Sequence, residues 1–106
     1  MKRKQIAKVF INLNVLKENG IWYSGVEGEG EYKEWYSNDK LFIHCFFDKG
    51  DENGEYKEWY KNGKQRINAI YKNGKKNGER KQWRRNGELR DHKLYKNDEE
   101  IKDYLR

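Results

Sequence analysis

Cysteine is almost absent: Cys45 is the only one in 106 residues. That excludes an internal disulfide and a cysteine-built metal cage, and it suits a reducing compartment. Long apolar runs are missing too. Nothing approaches the roughly 20 consecutive apolar residues of a membrane-spanning helix. The basic start Met1-Lys2-Arg3-Lys4 precedes an apolar stretch at 9–16, but Asn12 and Asn14 interrupt it and no small-residue cleavage site follows, so no signal peptide is expected. Aliphatic side chains are also scarce. The hydrophobic set makes up 34% against 40% charged, a balance that leans toward disorder.

Aromatic residues reverse that inference. Four Trp, eight Tyr and four Phe each bury a large area at low side-chain entropy, so they can hold a thin layered fold with few Leu or Val. A chain of this length has room for one domain, 1–106.

The aromatics recur at fixed spacing. Gly30-Glu31-Tyr32-Lys33-Glu34-Trp35-Tyr36 returns 24 residues later as Gly54-Glu55-Tyr56-Lys57-Glu58-Trp59-Tyr60, and again as Gly78-Glu79-Arg80-Lys81-Gln82-Trp83-Arg84. Turn residues keep the same phase, at Asn38-Asp39, Asn62-Gly63 and Asn86-Gly87, and at Lys49-Gly50, Asn73-Gly74 and Asn97-Asp98. The units are 30–53, 54–77 and 78–97, preceded by a shortened one at about 6–29 that places Tyr23 in register with Phe47.

Asn-Gly between two aromatic-rich runs signals a β-hairpin. A two-residue type I′ turn at Asn62-Gly63 would pair Lys61 with Lys64, Tyr60 with Gln65, Trp59 with Arg66 and Glu58 with Ile67. The expected fold class is all-β, an elongated antiparallel meander of tandem hairpins. Alternation puts Tyr56, Glu58, Tyr60, Ile67, Ala69 and Tyr71 on one face, with Tyr32, Tyr36, Leu41, Ile43, Cys45 and Phe47 in the unit before; this face is the expected core. The other face carries a stripe of Trp35, Trp59 and Trp83, opposed by Phe42, Arg66 and Arg90, the last two as cation–π pairs.

At the front, Val9, Ile11, Leu13 and Val15 alternate with polar or outward residues and read as a strand leading to a turn at Glu18-Asn19-Gly20; a helix with Ile6, Phe10 and Leu13 on one side is the alternative. At the rear, Asn97 or Asp98 can cap a helix, Glu99 and Glu100 suit its first turn, and Ile101, Tyr104 and Leu105 share a side. A short helix over 98–106 is therefore expected to cap the array.

Catalytic chemistry finds little support. His44 and His92 fall 48 residues apart, two periods, which puts them on strands nearly 20 Å apart at about 4.8 Å per strand, too far for one metal ion. Cys45 sits on the core face as a buried thiol. Glu34, Glu58 and Gln82 form a column expected to hydrogen-bond to Tyr hydroxyls. The glycines fall beside turns and spell no phosphate-cradling loop. No catalytic residue, metal or cofactor is expected.

Charge is polarised along the chain. Residues 18–58 hold 4 basic and 11 acidic side chains, and residues 61–97 hold 13 basic and 3 acidic. The candidate binding residues are Trp35, Trp59, Arg66, Lys81, Trp83, Arg84, Arg85 and Arg90, because Trp and Arg dominate protein-binding hot spots and basic side chains interleaved with aromatics suit single-stranded nucleic acid.

Units reading Gly30-Glu31-Tyr32-Lys33-Glu34-Trp35-Tyr36 followed by turns such as Tyr71-Lys72-Asn73-Gly74-Lys75 resemble the MORN-repeat variant of bacterial toxin–antitoxin and immunity proteins over about 18–97. The resemblance implies stacked hairpins and a non-enzymatic cytoplasmic inhibitor, in a bacterial or phage-infected cell, that docks on a protein target: a toxin, or a nuclease if the protein acts as an anti-CRISPR. Asn38-Asp39, Asn97-Asp98 and Arg80 depart from its pattern. The alternatives are nucleic-acid binding by the basic half and attachment to anionic lipid, with membrane association the least favoured.

Overall fold

The computed structural model describes residues 21–24 and 29–106. The leading strand expected at 9–16, its turn at 18–20 and the basic tail lie outside the described residues.

Among the described residues nine strands follow in chain order: β1 Ile21–Ser24, β2 Gly30–Trp35, β3 Leu41–Asp48, β4 Asp51–Trp59, β5 Gln65–Lys72, β6 Lys75–Lys76, β7 Gly78–Trp83, β8 Leu89–Lys96 and β9 Glu99–Asp103. They form one antiparallel meander in which β1 to β5, β7, β8 and β9 lie side by side, with β6 paired to β5. Among the described residues there is no helix, so none is long and apolar enough to cross a membrane.

The register supports the face assignment. Glu58 pairs with Ile67, Tyr56 with Ala69 and Gly54 with Tyr71, as the turn arithmetic required. Among the described residues Tyr32, Ile43, Cys45, Phe47, Tyr56 and Ala69 are the buried hydrophobics, all on the expected core face. Phe42, Ile67 and Tyr71 pack against them. Edge-to-face ring contacts, Tyr32 on Phe47 at 5.8 Å and Tyr56 on Tyr71 at 5.5 Å, hold the cluster across strands.

Two features differ from the sequence reading. The mid-unit turn is not type I′. The Gly63 N–H donates to Tyr60 O at 2.9 Å, the Tyr60 N–H donates to Lys64 O at 2.8 Å, and only Gly63 (φ 90°) takes positive φ there. This is a three-residue loop, a type I turn followed by a left-handed residue, which generates a bulge. Asn62 explains the choice: its Oδ1 accepts the Lys64 N–H at 2.9 Å, a local bond that suits this loop. Asn38 and Asn86 do the same to Lys40 and Glu88. The type I′ turns lie between units instead, at Lys49-Gly50 (φ 54° and 84°), Asn73-Gly74 (53° and 81°) and Asn97-Asp98 (50° and 70°).

The third of these turns overturns the terminal helix. With Asn97 and Asp98 both in left-handed conformation, the chain folds back and β9 pairs with β8, Lys96 opposite Glu99 and Lys93 opposite Asp103. An N-cap needs extended backbone, which these residues have given up. Ile101 is consequently half exposed on an edge strand, among the charges of Glu99, Glu100, Lys102 and Asp103 that discourage further strand pairing, and Leu105 is half exposed in the turn beyond it.

Neighbouring units are tied along both edges of the sheet. Tyr36 Oη donates to Trp59 O at 2.6 Å and Tyr60 Oη to Trp83 O at 2.7 Å. Asn38 Nδ2 donates to Lys61 O and Asn62 Nδ2 to Arg85 O, both at 3.1 Å. On the other edge the Gly74 N–H donates to Glu52 O and the Asp98 N–H to Lys76 O, both at 2.9 Å.

Candidate functional site

With the core on one face, the opposite face is a surface of three rows. The middle row runs straight through the register: Lys33 opposite His44, then Lys57, Asn68, Lys81 and His92. At about 4.8 Å per strand it spans about 24 Å. Trp35, Trp59 and Trp83 stand two residues further along their strands on one side, and Glu31, Glu55 and Glu79 two residues back on the other, so Trp and Glu rails flank the row.

The Glu rail engages part of the row. Glu31 Oε2 lies 2.5 Å from His44 Nε2 and 3.9 Å from Lys33 Nζ, and Glu79 Oε1 lies 2.7 Å from His92 Nε2. The two histidines thus occupy equivalent carboxylate-paired positions, two periods apart along the row. His92 also stacks on Tyr104, centroids 4.2 Å apart, a contact the expected helix concealed.

The eight candidate residues do not form one patch. Trp35, Trp59, Trp83 and Lys81 share the Trp face, each partly buried. Arg84 and Arg85 are exposed in the mid-unit turn. Arg66 and Arg90 stand at the bulge, where Trp59 pairs with Gln65 and Trp83 with Leu89, each skipping the expected arginine. The proposed Arg66–Trp59 cation–π pair is therefore replaced: the Arg66 guanidinium lies 5.6 Å from the Tyr60 ring centroid and 3.8 Å from Glu58, both core-face residues, with Arg85 6.0 Å from the same ring. Phe42, at the same position, packs on Tyr36 at 4.6 Å. The bulge turns this position from the Trp face to the core face, a consequence of the loop type.

The glutamate column does not bring carboxylates together. Ile43 pairs with both Glu34 and Glu58 and so separates them by two strand steps. Each is instead engaged by a tyrosine, Glu34 by Tyr32 Oη at 3.0 Å and Glu58 by Tyr56 Oη. Arg80 and Gln82 repeat the arrangement at 3.3 Å. Among the described residues no group of three His, Cys, Asp or Glu side chains is arranged to hold a metal ion.

One concave feature was not singled out from sequence. Lys72, Asn73, Lys75, Asn77, Lys96 and Asn97 line a cleft of about 500 Å³ between successive inter-unit turns. The 24-residue recurrence of Lys72-Asn73 as Lys96-Asn97 was the available signal, since residues one period apart meet across the stack. Compared with models of known families, with curated proteins and with solved structures, the chain matches none.

Proposed function

We propose that the protein is a non-enzymatic inhibitor of the antitoxin or immunity type, which lays its Trp face on a protein target and blocks it. One observation carries this reading: the buried core lies wholly on one face, which leaves Trp35, Trp59 and Trp83 in a periodic row on the other. Rigid aromatic anchors on a preformed sheet lose little entropy on docking, and Trp and Arg are the residues that concentrate interface energy. The MORN-like repeat pattern points the same way, as do the bonded tyrosine–glutamate pairs, which leave those carboxylates structural work.

The test is affinity capture from the source cell with the wild-type chain, Trp59→Ala and Trp83→Ala, each checked for an unchanged β-sheet circular dichroism spectrum. A single stoichiometric protein lost by both variants is the expected outcome; a partner retained by both would remove the Trp face from consideration.

A second reading, binding of single-stranded nucleic acid, draws support from the exposed Lys61, Lys64, Arg84, Arg85 and Arg90 around the turns of the rear half. Binding to single-stranded RNA that falls steeply with salt and weakens in Arg84→Ala would favour it.

A further inference from the structure

We propose that the cleft between the Asn73-Gly74 and Asn97-Asp98 turns is a binding site for a small, multiply phosphorylated ligand. Its lining is entirely donor-bearing: Lys72, Lys75 and Lys96 with Asn73, Asn77 and Asn97. Among the described residues none of these lysines forms an ion pair, and no side-chain amide of these asparagines has a hydrogen-bond partner. Three lysines and three asparagines lining one concavity with no such partners are the complement of phosphate oxygens, to which lysine binds as a point charge. A volume of about 500 Å³ falls within the range of small-molecule sites, about 300–1,000 Å³, and exceeds what one phosphate fills.

The molecule contains its own control. One period earlier the corresponding residues are Asp48, Lys49, Asp51, Asn53, Lys72 and Asn73, so the equivalent edge carries two carboxylates against two lysines. The turns themselves are alike, with φ of 54° and 84° at Lys49-Gly50 and 53° and 81° at Asn73-Gly74. Only the side chains change, and they change from two lysines against two carboxylates to three lysines with no carboxylate in the lining. Three acids border the cleft without lining it: Asp51, whose side chain packs against Gly74, and Asp98 and Glu99 in the next turn. Asp98 Oδ1 is held by the Lys76 N–H at 2.8 Å, and Glu99, opposite Lys96 in the register, is exposed to solvent without an ion pair among the described residues. Lys76 is directed elsewhere, over the Tyr95 ring at 4.3 Å.

The site shares no residue with the Trp face, so either can fail without the other. Calorimetric titration of the full chain with tripolyphosphate at physiological salt tests it. Wild-type binding should weaken about tenfold or more in Lys75→Gln/Lys96→Gln, since each lost charged contact is worth about 1.5–3 kcal/mol and 1.4 kcal/mol is a decade. Lys40→Gln removes a charge from an exposed mid-unit turn at the opposite edge and should leave affinity within about twofold, because exposed charges more than a Debye length away are screened. Should the first variant fail to fold, Lys72→Gln alone carries the same expectation. Inorganic phosphate should bind more weakly than tripolyphosphate. Absence of wild-type binding, a loss in Lys40→Gln as large as that in the cleft variant, equal affinity for the two anions, or binding of single-stranded RNA without tripolyphosphate would each overturn the proposal.

Discussion

The second and third units share a backbone and differ in what fills it. Tyr56, Ile67 and Ala69 on the core face of the second become Arg80, Asp91 and Lys93 in the third. Yet β7 and β8 pair in the register of β4 and β5, with the bulge at the same place, between Gln82 and Trp83 as between Glu58 and Trp59. The mid-unit turn closes with the same bonds, Gly87 N–H to Arg84 O and Arg84 N–H to Glu88 O. Turn chemistry and the neighbouring strand therefore set the geometry, while the apolar face sets the stability. In place of a core the rear has charge contacts: Lys93 Nζ lies 3.0 Å from Glu100 and 3.9 Å from Asp91. Pairs this accessible are screened by solvent and contribute little to stability. The array is thus graded, with a packed front and a rear that depends on it, as nearest-neighbour coupling in stacked repeats allows.

The sharpest way to break this comparison is to truncate the same position in both units. Tyr56 is 3% exposed and Arg80 is only half-buried. Tyr56→Ala should cost about 3 kcal/mol, the low end for removing a buried aromatic. Arg80→Ala should cost less than about 1 kcal/mol, the ceiling for accessible polar contacts. Urea midpoints at constant slope measure both; equal losses would mean that the rear is as tightly packed as the front.

A smaller effect tests the coupling between units. Tyr60→Phe deletes only the hydroxyl that donates to Trp83 O at 2.7 Å. The loss should be about 1 kcal/mol, the net value of one hydrogen bond. The third unit carries Arg84 at that position, exposed, so Arg84→Ala should leave the midpoint unchanged. If backbone amides of β7 exchange no faster in Tyr60→Phe than in the wild type, the tyrosine bond does not transmit stability rearward.

Much of this was legible in the letters because the fold is periodic. A 24-residue recurrence of Tyr, Trp and turn residues fixes strands, faces and core together, and Tyr32, Ile43, Cys45 and Tyr56 are buried as alternation required. The turn type was less legible. Asn-Gly serves both a type I′ hairpin and the left-handed end of a three-residue loop, and only the Asn62 side chain bonding back to Lys64 decides between them. That one-residue difference moved Arg66 from Trp59 to Tyr60. The terminal helix failed for a related reason: Asn97-Asp98 sits in turn phase with Asn73-Gly74, and periodicity outweighed local capping propensity. The cleft escaped notice because its residues are close only across the stack.

The finest probe of the gradient is alkaline pH. Tyr36 has its pKa raised from 10.0, first by burial and against the pull of Arg66, while Glu58 and Tyr60 push it the same way as burial. Its hydroxyl donates to Trp59 O, a bond that the phenolate cannot make. A group with a raised folded pKa contributes stability that is fully present below its unfolded value and is lost as pH climbs through the folded one. The wild type should therefore lose stability above about pH 10 more steeply than Tyr36→Phe, which keeps the ring on Phe42 and removes the titration. The urea midpoint followed from pH 8 to 11 in both chains (about the range over which a tyrosine of this kind begins to ionise) reads the difference. The third unit, with Arg84 in this position, has no matching titration, so the alkaline loss attributable to this position belongs to the front of the array. Parallel pH profiles for the two chains would show that the front does not depend on this hydroxyl.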